Sequence, residues 1–181
     1  MPDQPETSVF LVGPMGSGKT AVGKRLAQRL GYRFLDSDAV IEERTGVDIP
    51  FIFEKEGEAG FRARERAVID ELTRLSGIVL ATGGGAVLAE ENRTHLGDRG
   101  VVVYLQTSVQ QQLARTRRSR HRPLLETDDP RGRLESLMAM REPLYEAVAE
   151  LVVRTDGRKV AAVAEEIAGR LRAARQPAER A

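Results

Sequence analysis

The chain has 181 residues, 41% of them hydrophobic and 30% charged, with a formal net charge of +1. That suits one globular domain with a real core, and it offers no global field for nucleic acid or a membrane surface. There is no cysteine, so disulfides and thiolate-bound metals are excluded, and no apolar run approaches the ~20 residues of a membrane span.

The N-terminus, Met1 to Glu6, is polar and acidic, unlike a signal peptide, and cytoplasmic residence is the expectation. Val9 to Val12 is an apolar run that reads as a buried strand and ends at Gly13. Gly13-Pro14-Met15-Gly16-Ser17-Gly18-Lys19-Thr20 then fits the phosphate-binding pattern G-x-x-x-x-G-K-[ST]. Glycines there let the backbone turn with positive φ, so that successive N–H groups face phosphate oxygens. Lys19 can reach the β- and γ-phosphates, and the Thr20 hydroxyl can ligate Mg²⁺. Val22, Leu26 and Leu30 share one helix face, with Gly31 at the C-cap position. Strand, loop and helix therefore stand in the order that a nucleoside triphosphate site requires.

Tyr32 to Asp38 reads as a short strand ending in two aspartates. On an extended segment, Asp36 and Asp38 would point to the same side. They could then hold Mg²⁺ through water and receive a substrate hydroxyl; a helix N-cap is the simpler alternative. Ala39 to Arg44 continues as helix, closed by Thr45-Gly46. A short helical piece is expected around Pro50 to Lys55, and a helix from Glu58 to Leu75. On that helix Glu65 falls on the stripe of Phe61, Val68 and Leu72, where a carboxylate needs a partner. Arg62, at i−3, can satisfy it and still present its guanidinium to an anionic substrate.

Ile78 to Ala81 is another apolar strand, running into Thr82-Gly83-Gly84-Gly85. Three glycines cost conformational entropy, so the turn is either a plain β-to-α connection or a place of close approach to a small molecule. Helix follows over Glu90 to Leu96, and Val101 to Leu105 is a clear buried strand. Val109 to Arg117 reads as helix. Ser119 to Gly132 is polar, contains Pro123 and Pro130, and reads as a long loop of the kind that serves as a lid. It begins in a basic run from Arg115 to Arg122. Basic runs often bind nucleic acid, but this one lacks interleaved aromatics for base stacking. A lid arginine can instead stabilise charge on a transferred phosphoryl group. The next helical stretch, marked by Leu134, Leu137, Met138, Leu144, Tyr145 and Val148, is expected to be interrupted near Pro143. Arg141 lies on its apolar stripe. Leu151 to Val153 is the last strand, Val160 to Arg172 the closing helix, and 176–181 an expected disordered tail. The two histidines, His95 and His121, are far apart and read as surface side chains.

Continuously apolar strands alternating with helices predict a parallel sheet covered on both faces, one domain over 1–175. Ligands in such sheets bind beyond the carboxyl ends of the strands. The P-loop, Asp36/Asp38 and the triple glycine each follow a strand.

The ordered motifs GPMGSGKT, FLDSD, GEAGFRARE, ATGGG, RPLL and REPLY resemble those of the shikimate kinases, from Val9 to about Leu171. The resemblance implies an α/β, three-layer P-loop fold like that of the nucleoside monophosphate kinases, with a five-stranded parallel sheet and a mobile lid near 117–132. It implies phosphorylation of the 3-hydroxyl of shikimate by ATP with Mg²⁺, in a cytoplasmic monomer with no nucleic-acid or membrane partner. It also implies the site. Gly16, Ser17, Gly18, Lys19, Thr20 and Ala21 wrap the ATP phosphates, and Thr20 and Asp36 serve the metal. Asp38 binds the shikimate hydroxyls and orients or deprotonates the attacking one. Arg62 and Arg141 clamp the carboxylate. Gly83, Gly84, Gly85 and Glu65 lie against the substrate, and Phe53, Phe61, Pro123 and Leu124 form apolar walls. Arg122 is the lid arginine, and Arg115 and Arg158 border the adenine. Ala21 and Pro50-Phe51 depart from the family's usual residues, and the match around Thr155 to Arg158 is the loosest.

Three rivals are weighed. A gluconate kinase shares fold and reaction but not the FRARE and triple-glycine motifs. A regulatory GTPase needs N-K-x-D, impossible here because the only asparagine, Asn92, precedes Arg93. A nucleic-acid binder would need Arg115 to Arg122 on phosphates, with steep salt dependence.

Overall fold

The computed structural model describes residues 6–117 and 126–175. Five strands form one sheet: β1 (Ser8–Val12), β2 (Arg33–Asp36), β3 (Ile78–Ala81), β4 (Gly100–Gln106) and β5 (Leu151–Arg154). Their order is β2-β3-β1-β4-β5, and every pairing is parallel. Parallel neighbours need crossovers, and helices supply them. The helices are α1 (Lys19–Leu30), α2 (Ser37–Thr45), α3 (Ile49–Leu72), α4 (Glu90–Arg99), α5 (Val109–Thr116), α6 (Pro130–Val148) and α7 (Val160–Arg175).

The period-2 alternation of β1 divides the core. Val9 and Leu11 face α1 and α7, packing with Val22, Leu26, Val163 and Ile167. Phe10 and Val12 face the other layer, with Ile41, Phe61, Ile69, Leu96 and Tyr145. Both faces of the central strand are dry, which is why its sequence is continuously apolar. A third, smaller cluster joins Met15 of the P-loop to Leu134 and Leu137 of α6, with Val109 and Leu113 of α5 against it.

Four boundaries differ from the expectations. Asp36 ends β2 with extended backbone (φ −126, ψ 122), but Asp38 already lies in the first turn of α2. The two aspartates therefore do not share one extended face. The predicted break between two helical pieces is real but lies inside α3, at Gly57 with φ 71 and ψ −179. That helix ends at Leu72, and Leu75 is exposed. The loop after α5 ends sooner than expected: Pro130 opens α6, and the Asp129 side chain accepts the Gly132 N–H at 3.0 Å as an N-cap. Proline suits a first helical turn because its missing N–H would have no partner there. The same helix runs on through Pro143 without a break, anchored on either side by buried Met138, Arg141 and Tyr145. Tertiary packing has overridden the local cost of the proline.

Candidate active site

The informative residues converge beyond the carboxyl ends of β1, β2 and β3, at the crevice where the chain crosses from β3 over β1 to β4. A cavity of ≈ 330 Å³ there is lined by P-loop residues including Gly16 and Lys19, by Asp36 and Asp38, by Gly83 and Gly84, and by Arg115. Thr20 and Ala21 line it too. The loop turns as its glycines require: Gly13, Gly16 and Gly18 have φ of 147, 77 and 88. Lys19 Nζ donates to the carbonyls of Gly13 and Pro14 at 2.6 and 2.8 Å and to Ser17 Oγ at 3.3 Å. The ammonium is thus held within the loop that would cradle phosphates.

Asp36 serves two purposes with its two oxygens. Oδ1 caps α2, accepting the backbone N–H groups of Asp38 and Ala39 at 3.0 and 3.3 Å. Oδ2 accepts the Thr20 hydroxyl at 3.0 Å. The helix N-cap, the simpler of the two alternatives, is therefore present, and the second oxygen is held beside the Thr20 hydroxyl. Thr20 and Asp36 are hard oxygen donors at the mouth of a phosphate loop, which suits Mg²⁺. Among the described residues no group of three or more His, Cys, Asp or Glu is placed to hold a metal. An ion held mainly by phosphates and water, with one or two protein oxygens, needs no such cage.

The triple glycine has a reason that neither expectation covered. None of the three has positive φ. What they lack is a Cβ, and at Gly83 and Gly85 the missing Cβ admits a charged side chain, while Gly84 lies in ordinary contact with a third. A methyl group on Gly83 would meet Glu65 Oε2 at 2.8 Å and Asp38 Oδ1 at 2.9 Å. On Gly84 it would touch Arg141 Nη1 at 3.5 Å, and on Gly85 it would strike the Arg62 guanidinium, with Cζ at 2.6 Å. The turn is therefore the floor on which four ionisable side chains from α2, α3 and α6 meet. Its first N–H, that of Gly83, donates to the fully buried Ser37 Oγ at 3.2 Å.

Those charges are unevenly paired. Glu65 is 1% exposed and accepts from Arg62 Nη1 at 2.8 Å, but its Oε2 has no hydrogen-bond partner among the described residues. Arg62 also reaches Glu58 at 3.3 Å. Arg141 is 3% exposed, and among the described residues no carboxylate lies within ion-pair distance of it. Burial draws its pKa below the usual value, partly offset by Tyr145, while the neighbouring Arg62 charge adds to the lowering. Two guanidiniums thus converge on one spot, one of them with no anionic partner of its own.

Desolvation by burial raises the pKa of Glu65, against the pull of Arg62 and Arg141. A carboxyl raised in the folded state costs stability once it ionises. That cost is absent below the ordinary glutamate value of 4.5 and fully felt above the raised value. Glu65→Gln cannot ionise, so its Tm relative to that of the unmodified protein should climb as pH rises through this window. Thermal melts from pH 4.5 upward check this, and a gap that shrinks or stays flat overturns it.

Other expected residues divide. Phe61 is buried in the core and Phe53 packs on it with ring centroids 4.9 Å apart, so Phe53 is the more accessible of the two walls. Arg115 lines the cavity, donating to the Gly16 carbonyl at 2.7 Å and the Thr155 carbonyl at 3.4 Å. Arg158 is turned to α7, in an ion pair with Glu166 at 2.7 Å, and does not line the cavity. Arg122, Pro123 and Leu124, with most of the expected lid, lie outside the described residues. Met15 and Thr82 also line the cavity and carried no site signal in the sequence. Asp156 is a further addition on the Arg115 side. It accepts from Thr107 Oγ1 at 2.5 Å and the Ser108 N–H at 3.1 Å, tying the ends of β4 and β5 together.

Comparison with known proteins bears on sequence and fold. The shikimate kinase family model matches residues 15–172. A shikimate kinase of Halorhodospira halophila is 62% identical over 159 residues, 88% of this chain and 90% of that one. The solved shikimate kinase of Acinetobacter baumannii, in complex with shikimate, superposes with a TM-score of 0.93 at 48% identity, covering 95% of this chain and 96% of that one. A gluconokinase of Sinorhizobium meliloti is 17% identical with a TM-score of 0.53, a likeness of fold alone.

Proposed function

The chain belongs to the shikimate kinase family, and from that premise we propose that it transfers the γ-phosphoryl group of ATP to the 3-hydroxyl of shikimate, giving shikimate 3-phosphate and ADP. The observation that carries the substrate assignment is Arg141: a buried guanidinium without a carboxylate of its own, beside Arg62 and against Gly84. A substrate carboxylate would satisfy both arginines in charge-assisted hydrogen bonds. Asp38 stands at Gly83, next along the glycine turn from Arg141 at Gly84 and Arg62 at Gly85, so an acid that also carries a hydroxyl would meet both clamp and base.

In this reading the P-loop N–H groups and Lys19 hold the phosphates, and Lys19 balances the charge that builds on the transferred group. Mg²⁺, served by Thr20 and Asp36, would neutralise phosphate charge when bound with ATP. Asp38 accepts the proton of the attacking hydroxyl. A new O–P bond forms as the bond to the ADP oxygen breaks, and the electron pair leaves with ADP. Arg115 borders the nucleotide. A single-domain cytoplasmic monomer fits the reading, because ATP is the donor and one chain carries every assigned residue; no helix among the described residues is long and apolar enough to cross a membrane.

A coupled ADP-release assay over a panel of hydroxy acids is the test. Turnover with shikimate and none with gluconate is expected. Turnover of gluconate without shikimate would overturn the assignment.

A further inference from the structure

Tyr145 has a task that its place in the core does not explain. It is fully buried and stacks on Tyr104, ring centroids 5.1 Å apart and planes 28° apart. A phenylalanine would pack as well there. Its hydroxyl, however, donates to the Gly84 carbonyl at 2.5 Å, across 61 positions of sequence. Arg141 stands one helical turn earlier on α6, near enough for its charge to pull the phenol's pKa down against the effect of burial. Burial pushes the phenol up to about 12, so it keeps its proton and remains a donor. Its hydrogen goes to the Gly84 carbonyl, and Gly84 itself lies in contact with the Arg141 guanidinium, a Cβ there standing 3.5 Å from Nη1.

We propose that Tyr145 is a positioning residue for the acceptor: its hydroxyl holds the Gly84 carbonyl, and Gly84 in turn is the surface against which the Arg141 guanidinium rests as it aims at the substrate carboxylate. The inference rests on the shikimate kinase reading above. Three features make the link directional. Arg141 Nε has no partner among the described residues, so the side chain is held by few contacts. Gly84 lies directly against the guanidinium, a Cβ there standing at contact distance from Arg141 Nη1 (3.5 Å) and Met15 N (3.4 Å), so a shift of this glycine is felt by the arginine. Finally, a trans peptide is planar, so fixing the Gly84 carbonyl also fixes the direction of the Gly85 N–H.

Tyr145→Phe removes the hydroxyl and keeps the ring. It should raise KM for shikimate about tenfold, the scale of one hydrogen bond to a charged group. kcat and KM for ATP should stay within about twofold, and Tm should fall by only a few degrees. In an Arg141→Ala background the same change should add less than about twofold, because the residue acts through that arginine. An unchanged shikimate KM overturns the proposal. So does a parallel rise in both KM values, or an equal effect with and without Arg141; each marks a merely structural role. If the unmodified enzyme turns over a different hydroxy acid and not shikimate, the substrate reading fails instead, and the same KM split is then measured on that acid.

Discussion

Asp38→Asn should lower kcat by about 10²–10⁴-fold, the usual contribution of a general base, while the fold stays intact. Asn can still hydrogen-bond a hydroxyl but cannot take its proton. The substitution leaves the local architecture in place for stated reasons. Asp38 holds α2 through its backbone N–H, which Asn retains, and the cap itself is the Asp36 side chain. Loss of an acidic residue from the first helical turn costs only about 0.3–1 kcal/mol. Against that, Asp38 Oδ1 and Glu65 Oε2 both lie within 3 Å of the missing Gly83 Cβ, so removing one negative charge relieves the other. A Tm equal to or above that of the unmodified enzyme, with turnover nearly gone, is the expected pair of results. Circular dichroism melts and steady-state kinetics read both. Near-normal turnover would remove Asp38 from the mechanism.

Arg141→Ala and Arg62→Ala should both raise KM for shikimate by about 10- to 100-fold with little change for ATP, since each deletes a charged hydrogen-bonding group of about 1.5–3 kcal/mol. The two should differ in stability. Arg62 is the hydrogen-bond partner of Glu65, so its loss strands a buried carboxylate. Arg141 has no carboxylate partner among the described residues, so its removal deletes a costly buried charge and leaves a gap beside Tyr145. Arg62→Ala should therefore melt at the lower temperature of the two. Arg141→Lys should rescue shikimate binding only in part, because an ammonium cannot reproduce the planar fork. If ATP affinity fell and shikimate affinity held, the clamp assignment would be wrong.

Much of this was readable without coordinates because it is local. Positive φ at Gly13, Gly16 and Gly18, the buried face of Val22 and Leu26, and the Gly31 cap depend on residues within a few positions of one another. The parallel sheet followed from strands apolar at every position, since only burial on both faces permits that. Where two local signals competed, the reading slipped. FLDSD reads as strand and as helix start, and the capping bonds of Asp36 settled it two residues earlier than expected, at Ser37. Pro130 and Pro143 both looked like loop punctuation, yet one opens α6 and the other lies within it.

The amino-acid sequence by itself determined which residues the proposed chemistry is assigned to: a phosphate loop, two aspartates, a glycine triplet, and two arginines on apolar helical stripes. Each is marked by composition or spacing over a few residues. Only the tertiary structure decided why Gly83 and Gly85 lack a Cβ and what surrounds Arg141. Those answers depend on α2, α3 and α6 bringing Asp38, Glu65, Arg62 and Arg141 onto the end of β3. The bond from the Tyr145 hydroxyl to the Gly84 carbonyl spans 61 positions. A contact of that separation leaves no periodic trace in the chain, because neither partner's local backbone preference depends on the other.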